Sequence, residues 1–172
     1  MGINGGVVQL NGYIMSTLGN KLGIFVGSSR HNLDGKFRVT VPSKWRIKDA
    51  QYLGMPNPEG CINVCPPKMI GQIQERMSEI SQADPHMQRV FGEIFSQSEE
   101  YSFDKQGRIG LNERLRTHSG ITKDVILIGY LNYFQIWDFE NYEKWLKNTK
   151  EKPMKLSPDM EKIRKTMIKL VI

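Results

Sequence analysis

The hydrophobic and polar positions of the chain follow one pattern in two separate stretches. Residues 33–46 read LDGKFRVTVPSKWR, and residues 103–116 read FDKQGRIGLNERLR. Each stretch begins with an apolar residue and Asp, places an Arg four positions after that Asp, and continues with alternating apolar positions and a second Arg. The offset between the two copies is 70 residues throughout. A repeat with a constant offset predicts two equivalent structural units.

The pattern within each copy predicts a strand, a tight turn and a second strand. In the first copy Asp34-Gly35 is typical of a tight turn. The alternating positions after it end at Pro42, which cannot donate a hydrogen bond to a neighbouring strand. Residues 43–47 are expected to form one helical turn with Ser43 as its cap.

The segments around the copies predict two hairpins and three helices. Hairpins are expected where β-rich runs flank turn residues, at residues 51–65 and 125–137. Two amphipathic helices are expected between the hairpins, the second capped by Asp84 with Pro85 at its first position. A third helix is expected after Asp138, which would cap it. This order of elements indicates an α+β fold.

The repeat divides the chain into four predicted parts. We expect an N-terminal extension at residues 1–22, a first half with two helices at 23–100, a second half at 101–149 and a basic tail or helix at 150–172. The first half is predicted to open with a short apolar strand at residues 24–26. The amphipathic tail is expected to pack on its own protein, with DNA phosphates, a partner or a membrane surface as alternatives.

The composition narrows the class of protein. The 172 residues include 24 Lys and Arg against 18 Asp and Glu, a formal net charge of +6 that suits an anionic partner. With 39% hydrophobic residues the chain can bury a core. No run approaches the ~18 consecutive apolar residues that span a bilayer, and the first residues lack the pattern of a secretory signal. We therefore expect a cytoplasmic protein with no membrane partner.

Metal, cofactor and catalytic sites are not expected. The two cysteines, Cys61 and Cys65, lie on one predicted strand about four rises of ~3.3 Å apart, too far for a disulfide, and are expected to be reduced core thiols. The three histidines are scattered, so no metal site is predicted. The sequence has no glycine-rich phosphate loop and no nucleophile elbow, so it indicates a protein that is not an enzyme.

The Asp and Arg of each copy can meet across the turn in a charge-assisted hydrogen bond. If Asp34 and Arg38, like Asp104 and Arg108, only brace a small barrel, the pairing is purely structural. In a functional interpretation, the arginines bind DNA phosphates and guanine edges. The basic character of the first copy suits such contacts. The spacing alone leaves both interpretations open.

The two copies and their surroundings resemble the MraZ family, bacterial transcriptional regulators of the division and cell wall gene cluster within the AbrB-like swapped-hairpin superfamily. The matching residues are 25–27, 33–46 and 103–137, and the likeness extends from about residue 25 to residue 145. The resemblance implies two tandem swapped-hairpin halves that form a mixed β-barrel with flanking helices. It also implies a nucleoid-associated, ring-shaped homo-oligomer that binds double-stranded DNA at tandem repeats in the promoter of its own operon.

The resemblance also implies roles for individual residues. Arg38 and Arg108 would contact DNA, and Asp34 and Asp104 would shape their turns. Further candidates for DNA binding on the two copies are Lys36, Lys44, Arg46 and Arg116. For the last two, a structural role at the end of the helical turn is an equal alternative.

One position departs from the family pattern. The family usually has Gly before the motif Arg, as Gly107 does, whereas the first copy has Phe37. A positive φ is costly for a residue with a bulky side chain. The first turn is therefore expected to adopt another conformation, which would weaken the case for DNA contact by the first copy.

A second function fits the same residues. An oligomeric protein-interaction module of the antitoxin or scaffold type would present its basic hairpins to an acidic protein surface. In either function, linked copies would raise the affinity through avidity. Salt-dependent binding to promoter DNA would separate the two functions.

Overall fold

The computed structural model describes residues 23–80 and 84–151, in an α+β fold as predicted. The strands are β1 (Ser28–Asn32), β2 (Arg38–Thr40), β3 (Tyr52–Asn57), β4 (Cys61–Cys65), β5 (Glu99–Tyr101), β6 (Arg108–Gly110), β7 (Asp124–Gly129) and β8 (Phe134–Asp138). The helices are α1 (Pro67–Ile80), α2 (Pro85–Gln97), α3 (Glu113–Ser119) and α4 (Phe139–Glu151), with a 3-10 helix at Ser43–Trp45.

Two compact units are distinguished, Met1–Asn141 and Tyr142–Ile172. All eight strands of the described residues belong to the first unit. The described part of the second unit is the remainder of α4, in which the rings of Tyr142 and Trp145 stack with centroids 5.9 Å apart. The predicted N-terminal extension and nearly all of the predicted basic tail lie outside the described residues.

The strands form two antiparallel sheets. The larger sheet has six strands in the order β1-β7-β8-β4-β3-β5, and the smaller consists of β2 and β6. Within residues 23–80 and 84–151 these two sheets do not close into a barrel. The mixed β-barrel that the family resemblance implies is therefore not found among the described residues, which form two separate sheets instead.

The two copies of the repeat pair with each other. In the small sheet Arg38 lies opposite Gly110, and Thr40 lies opposite Arg108. The strand–turn–strand prediction within each copy is therefore only half right, because the turn is present but β2 pairs with β6. The turn of the first copy leaves the hydrogen-bonding edge of β2 unpaired. The equivalent edge of β6, from the second copy, pairs with it.

Both predicted hairpins are confirmed, as β3 with β4 and as β7 with β8. The strand predicted at residues 24–26 is wrong, because β1 begins only at Ser28 and Phe25 forms an isolated bridge to Leu131. Gly129 makes this close approach possible, since a Cβ there would overlap the backbone of Phe25. Phe25 and Gly27 are already hydrogen-bonded to Leu131 and Gly129 before β1 begins.

The predicted helix starts at Asp84 and Asp138 are confirmed. Asp84 Oδ1 accepts a hydrogen bond from the backbone N–H of His86 at 2.9 Å, and Asp138 Oδ1 accepts one from that of Asn141 at 3.1 Å. The short helix Ser43–Trp45 is also present, but no side chain caps it, so the predicted serine cap is wrong. These local signals fixed element starts more reliably than the strand pattern did.

The core lies beneath the small sheet and explains which way its arginines face. Val39 and Ile109 are directly opposite each other in β2 and β6, and both are buried. Side chains alternate between the two faces of a strand, so the motif arginines beside them lie on the outer face. The short helix is anchored in the same core by Trp45, whose ring centroid is 5.3 Å from that of Phe134.

The remaining predictions on the fold concern cysteines and membranes. Cys61 and Cys65 are buried and are not joined to each other, as expected. Burial raises the pKa of each thiol to about 12. Across the part of the chain that the structure describes, no helix is long and apolar enough to cross a membrane.

Candidate nucleic-acid interface

Each aspartate of the repeat holds its own turn together. Asp34 Oδ1 accepts hydrogen bonds from the backbone N–H groups of Lys36 and Arg38 at 2.9 and 3.0 Å. Asp34 Oδ2 accepts a bond from Arg38 Nε at 2.9 Å. Asp104 accepts the equivalent bonds from the backbone N–H and the Nε of Arg108, both at 2.9 Å. The predicted Asp–Arg hydrogen bond is confirmed in both copies.

Ion pairs also join the two copies. Arg108 Nη1 lies 3.2 Å from Asp34 Oδ2, and Arg38 Nη1 lies 3.5 Å from Asp104 Oδ2. Each arginine in addition brings Nη2 within 2.8 Å of the aspartate of its own copy. We call these four side chains the Asp–Arg quartet. The pairs between copies could not be predicted from local spacing, because their partners lie more than 60 residues apart.

The quartet keeps its carboxylates ionised. The side-chain hydrogen bond from Arg38 is the largest cause that lowers the pKa of Asp34 to about 2, followed by the backbone hydrogen bond of the same residue. The pKa of Asp104 is also lowered, first by the backbone hydrogen bond from Arg108. With two positive and two negative side chains the quartet is electrically neutral, so any net attraction for an anion must come from residues around it.

The guanidinium groups of the quartet remain accessible. The side chains of Arg38 and Arg108 are 30% and 22% exposed. A guanidinium has five N–H groups, and the carboxylates engage Nε, Nη1 and Nη2 of each arginine. Each arginine therefore presents donors of fixed orientation on the outer face of the small sheet, an arrangement suited to anionic or hydrogen-bond-accepting ligands.

The second arginine of each copy packs on the opposite copy. The Arg116 guanidinium lies over the ring of Phe37, 3.6 Å from its centroid, and its Nε donates to the backbone oxygen of Leu111 at 3.2 Å. Arg46 occupies the equivalent place at Gly107, where a Cβ would overlap its guanidinium. Arg46 Nε is buried and has no hydrogen-bond partner among the described residues.

The first turn has the same conformation as the second, so the prediction of a different conformation is wrong. Phe37 has φ 56° and Gly107 has φ 75°, both in the left-handed region. The turn bond is also the same, from Phe37 N–H to the oxygen of Asp34 at 2.9 Å and from Gly107 N–H to that of Asp104 at 2.8 Å. The Asp–Arg bonds hold the turn strongly enough to keep a phenylalanine in a conformation that costs an L-residue about 1–2 kcal/mol.

The predicted lysines occupy different places. Lys36 is exposed on the first turn, beside the quartet. Lys44 is exposed, but its Nζ lies next to Gly27 at the start of β1 and makes no ion pair with the quartet in the described part of the chain. Lys105, exposed on the second turn, was missed as a candidate although the repeat places it directly after Asp104.

Comparison with known proteins identifies the family of this chain. Residues 94–162 match a family model described as "MraZ protein, putative antitoxin-like". A protein named transcriptional regulator MraZ from Lactobacillus delbrueckii subsp. bulgaricus is 31% identical over 144 residues, which cover 81% of this chain and 99% of the relative. Proteins of the same name are 30% identical in Pediococcus pentosaceus, over 74% of this chain and 90% of the relative, and 32% identical in Syntrophobacter fumaroxidans, over 77% and 91%. Identity at this level over nearly the whole length of the relatives shows that the chain belongs to the MraZ family.

Proposed function

We propose that the protein is a transcriptional regulator that binds double-stranded DNA sequence-specifically, at tandem repeats in the promoter of the division and cell wall gene cluster. It acts in the cytoplasm, in association with the nucleoid, and not as an enzyme. The names of its relatives support the regulatory role. The observation that carries the proposal is the Asp–Arg quartet, which holds two arginines side by side on one exposed face.

Arg38 and Arg108 contact DNA, in this proposal, while they stay bound to Asp34 and Asp104. A guanidinium already held in one plane loses little conformational freedom when it binds. Its remaining N–H groups can donate to phosphate oxygens or, as a pair, to guanine O6 and N7. The aspartates thus act through the arginines, as residues that shape the turns and orient the donors.

Residues around the neutral quartet supply the positive charge. Lys36, Lys105 and Arg116 surround the two turns and attract phosphates, which makes binding sensitive to salt. Lys44 reaches phosphates only at the edge of the interface, since its ammonium lies beside β1. Arg46 has a structural role, because its guanidinium is packed on Gly107.

Assembly into a ring-shaped homo-oligomer would let several such faces bind DNA together. A single face with few phosphate contacts gives modest affinity. Several faces held at fixed spacing opposite repeated DNA boxes raise the affinity by orders of magnitude, provided the two spacings match. We propose that the interleaved pairing of β2 with β6 is the intact chain's version of the swapped-hairpin arrangement, so that each subunit carries one complete quartet.

The test is an anisotropy titration of the intact chain against the duplex upstream of its own gene and against a scrambled duplex, at two salt concentrations. We expect preference for the native duplex and weaker binding at higher salt. Arg38→Ala and Arg108→Ala should each abolish the preference. Arg76→Ala, which removes the same charge from an exposed position on α1, should leave it unchanged.

Equal binding of both duplexes by the wild-type chain would contradict sequence-specific regulation, as would Arg38→Ala behaving like Arg76→Ala. Far-ultraviolet circular dichroism of each variant confirms that the fold is intact. Analytical ultracentrifugation of the wild-type chain, alone and with a duplex of one, two or three repeats, tests the ring. A monomer with the same affinity for all three duplexes would contradict the oligomeric part of the proposal.

The neutrality of the quartet favours one alternative, a protein-interaction module of the antitoxin type. A neutral arrangement of paired charges can match the polar surface of a protein as readily as a phosphate backbone. The same titration separates the two functions. Absence of binding to either duplex by an intact oligomer would favour the protein partner.

A further inference from the structure

Phe37 combines two features that rarely occur together in a surface residue. Its backbone is in the left-handed region, which is a genuine outlier for a bulky side chain. Its side chain is 44% exposed, although it is a large hydrophobic group. Backbone strain of this kind persists where the surrounding structure enforces it, and it concentrates at functional sites.

The exposed ring is in contact with a charged group that the repeat singles out. The Arg116 guanidinium lies 3.6 Å above the ring centroid, in the geometry of a cation–π interaction. The bond from Arg116 Nε to Leu111 fixes a second side of the same group. With one face on the ring and Nε engaged, the edge formed by Nη1 and Nη2 keeps the fork geometry that suits bidentate acceptors.

The second copy shows what happens without the ring. Gly107 has no side chain, and the Arg46 guanidinium occupies the space that a Cβ would fill. The Arg46 guanidinium lies against the backbone of Gly107. Its Nε is buried and lacks a hydrogen-bond partner in the described part of the chain. In the first copy Phe37 has a side chain at this position, and the Arg116 guanidinium lies against its ring instead.

We propose that Phe37 is a positioning residue for the DNA interface, which holds Arg116 outward so that its Nη1–Nη2 edge binds a pair of acceptors on DNA. This inference rests on the proposed function. The acceptors are either two phosphate oxygens or O6 and N7 of a guanine, which share the same bidentate chemistry. The interface is then asymmetric, with Arg116 as a third contact beside the quartet and Arg46 as its structural counterpart.

The substitution that tests the proposal makes the first turn like the second. In Phe37→Gly, relief of left-handed strain offsets the lost stacking and the greater freedom of glycine in the unfolded chain, so we expect an unfolding temperature within about 3 °C of the wild type. Affinity for the native duplex should fall about tenfold, as it should in Arg116→Ala. Phe37→Tyr keeps the ring and should bind within about twofold of the wild type.

A double-mutant cycle tests whether Phe37 acts through Arg116. Because the two residues form one unit, Phe37→Gly combined with Arg116→Ala should bind no more weakly than Arg116→Ala alone. The scrambled duplex distinguishes the acceptors. A loss confined to the native duplex indicates a guanine edge, and an equal loss on both duplexes indicates phosphate.

Three outcomes would overturn the proposal. Phe37→Gly could bind like the wild type, Arg116→Ala could bind like the wild type, or the losses of the two single variants could simply add. If the wild type prefers its own duplex and Arg38→Ala loses that preference, the proposed function stands even when this inference fails. If the wild type shows no preference, both fail together.

Discussion

The two copies of the repeat share one turn and differ in the residue at its left-handed position and in the helix that follows it. The turn is the same with Phe37 or Gly107 at its left-handed position, and each aspartate makes the same three bonds. The helix that follows has three residues in the first copy and seven in the second. The turn is therefore determined by the Asp–Arg bonds, and the helix length by residues outside them.

The difference in helix length follows from the caps. Asn112 Oδ1 accepts a hydrogen bond from the backbone N–H of Leu115 at 2.8 Å, and Gly120, in the left-handed region, ends the helix. The first copy has Pro42 at the position equivalent to Asn112, and no side chain caps its helix. The first helix depends more on the packing of Trp45 than on its own hydrogen bonds.

The sharpest test of that dependence is the removal of the anchor in each copy. Trp45→Ala should lower the free energy of unfolding by about 3–5 kcal/mol, because it leaves a large cavity in the aromatic core. Leu115→Ala, at the equivalent position of the second copy, should cost about 2–4 kcal/mol because less volume is removed. Urea denaturation measures both. A larger cost for Leu115→Ala would contradict the view that the first helix relies on its anchor.

A second test concerns the left-handed position. Gly107→Ala should lower the free energy of unfolding by about 1–2 kcal/mol, because it places a side chain at φ 75° and displaces the Arg46 guanidinium. Phe37→Ala is the matched control, since it keeps a non-glycine residue at φ 56° and adds no backbone strain. Urea denaturation of the two variants should show the larger loss for Gly107→Ala, and the reverse order would refute the equivalence of the turns.

A third test addresses the caps. Asn112→Ala should cost about 1 kcal/mol, the usual effect of losing an N-cap side chain. Pro42→Ala removes no cap hydrogen bond and should have a smaller effect on stability than Asn112→Ala. Thermal unfolding of the pair measures this difference. Equal losses would show that the hydrogen bond of Asn112 does not explain the longer helix.

The last test concerns the dependence of stability on pH. The pKa of Asp34 is lowered from 3.8 to about 2 in the folded protein, so its contribution to stability is present above about pH 4 and is lost as the pH falls toward 2. Asp34→Asn should make the free energy of unfolding depend less on pH between about pH 2 and pH 4. Asp104→Asn should act in the same direction, since the pKa of Asp104 is also lowered. Urea midpoints between pH 2 and pH 5 provide the measurement, and an unchanged slope in both variants would contradict the role of the quartet.

Much of the candidate site was predictable because its chemistry is local. The bond between Asp34 and Arg38 spans four residues, and the helix starts at Asp84 and Asp138 depend on side chains within three residues of the backbone groups they bind. At Phe37 the positive φ costs about 1–2 kcal/mol, and the hydrogen bonds of the turn outweigh that cost.

By itself the sequence determined the positions of the two turns, the two hairpins and the helix starts at Asp84 and Asp138, since these depend on residue types at short, fixed spacings. Membership of the MraZ family follows from identity over most of the chain. Only the tertiary structure decided that β2 pairs with β6 and that Arg108 forms an ion pair with Asp34. It also decided that Arg116 lies over the Phe37 ring, whereas Arg46 lies against Gly107. These contacts join segments about 70 residues apart. Two such segments meet because each offers the other an open strand edge and a complementary charge, and no spacing along the chain encodes that meeting.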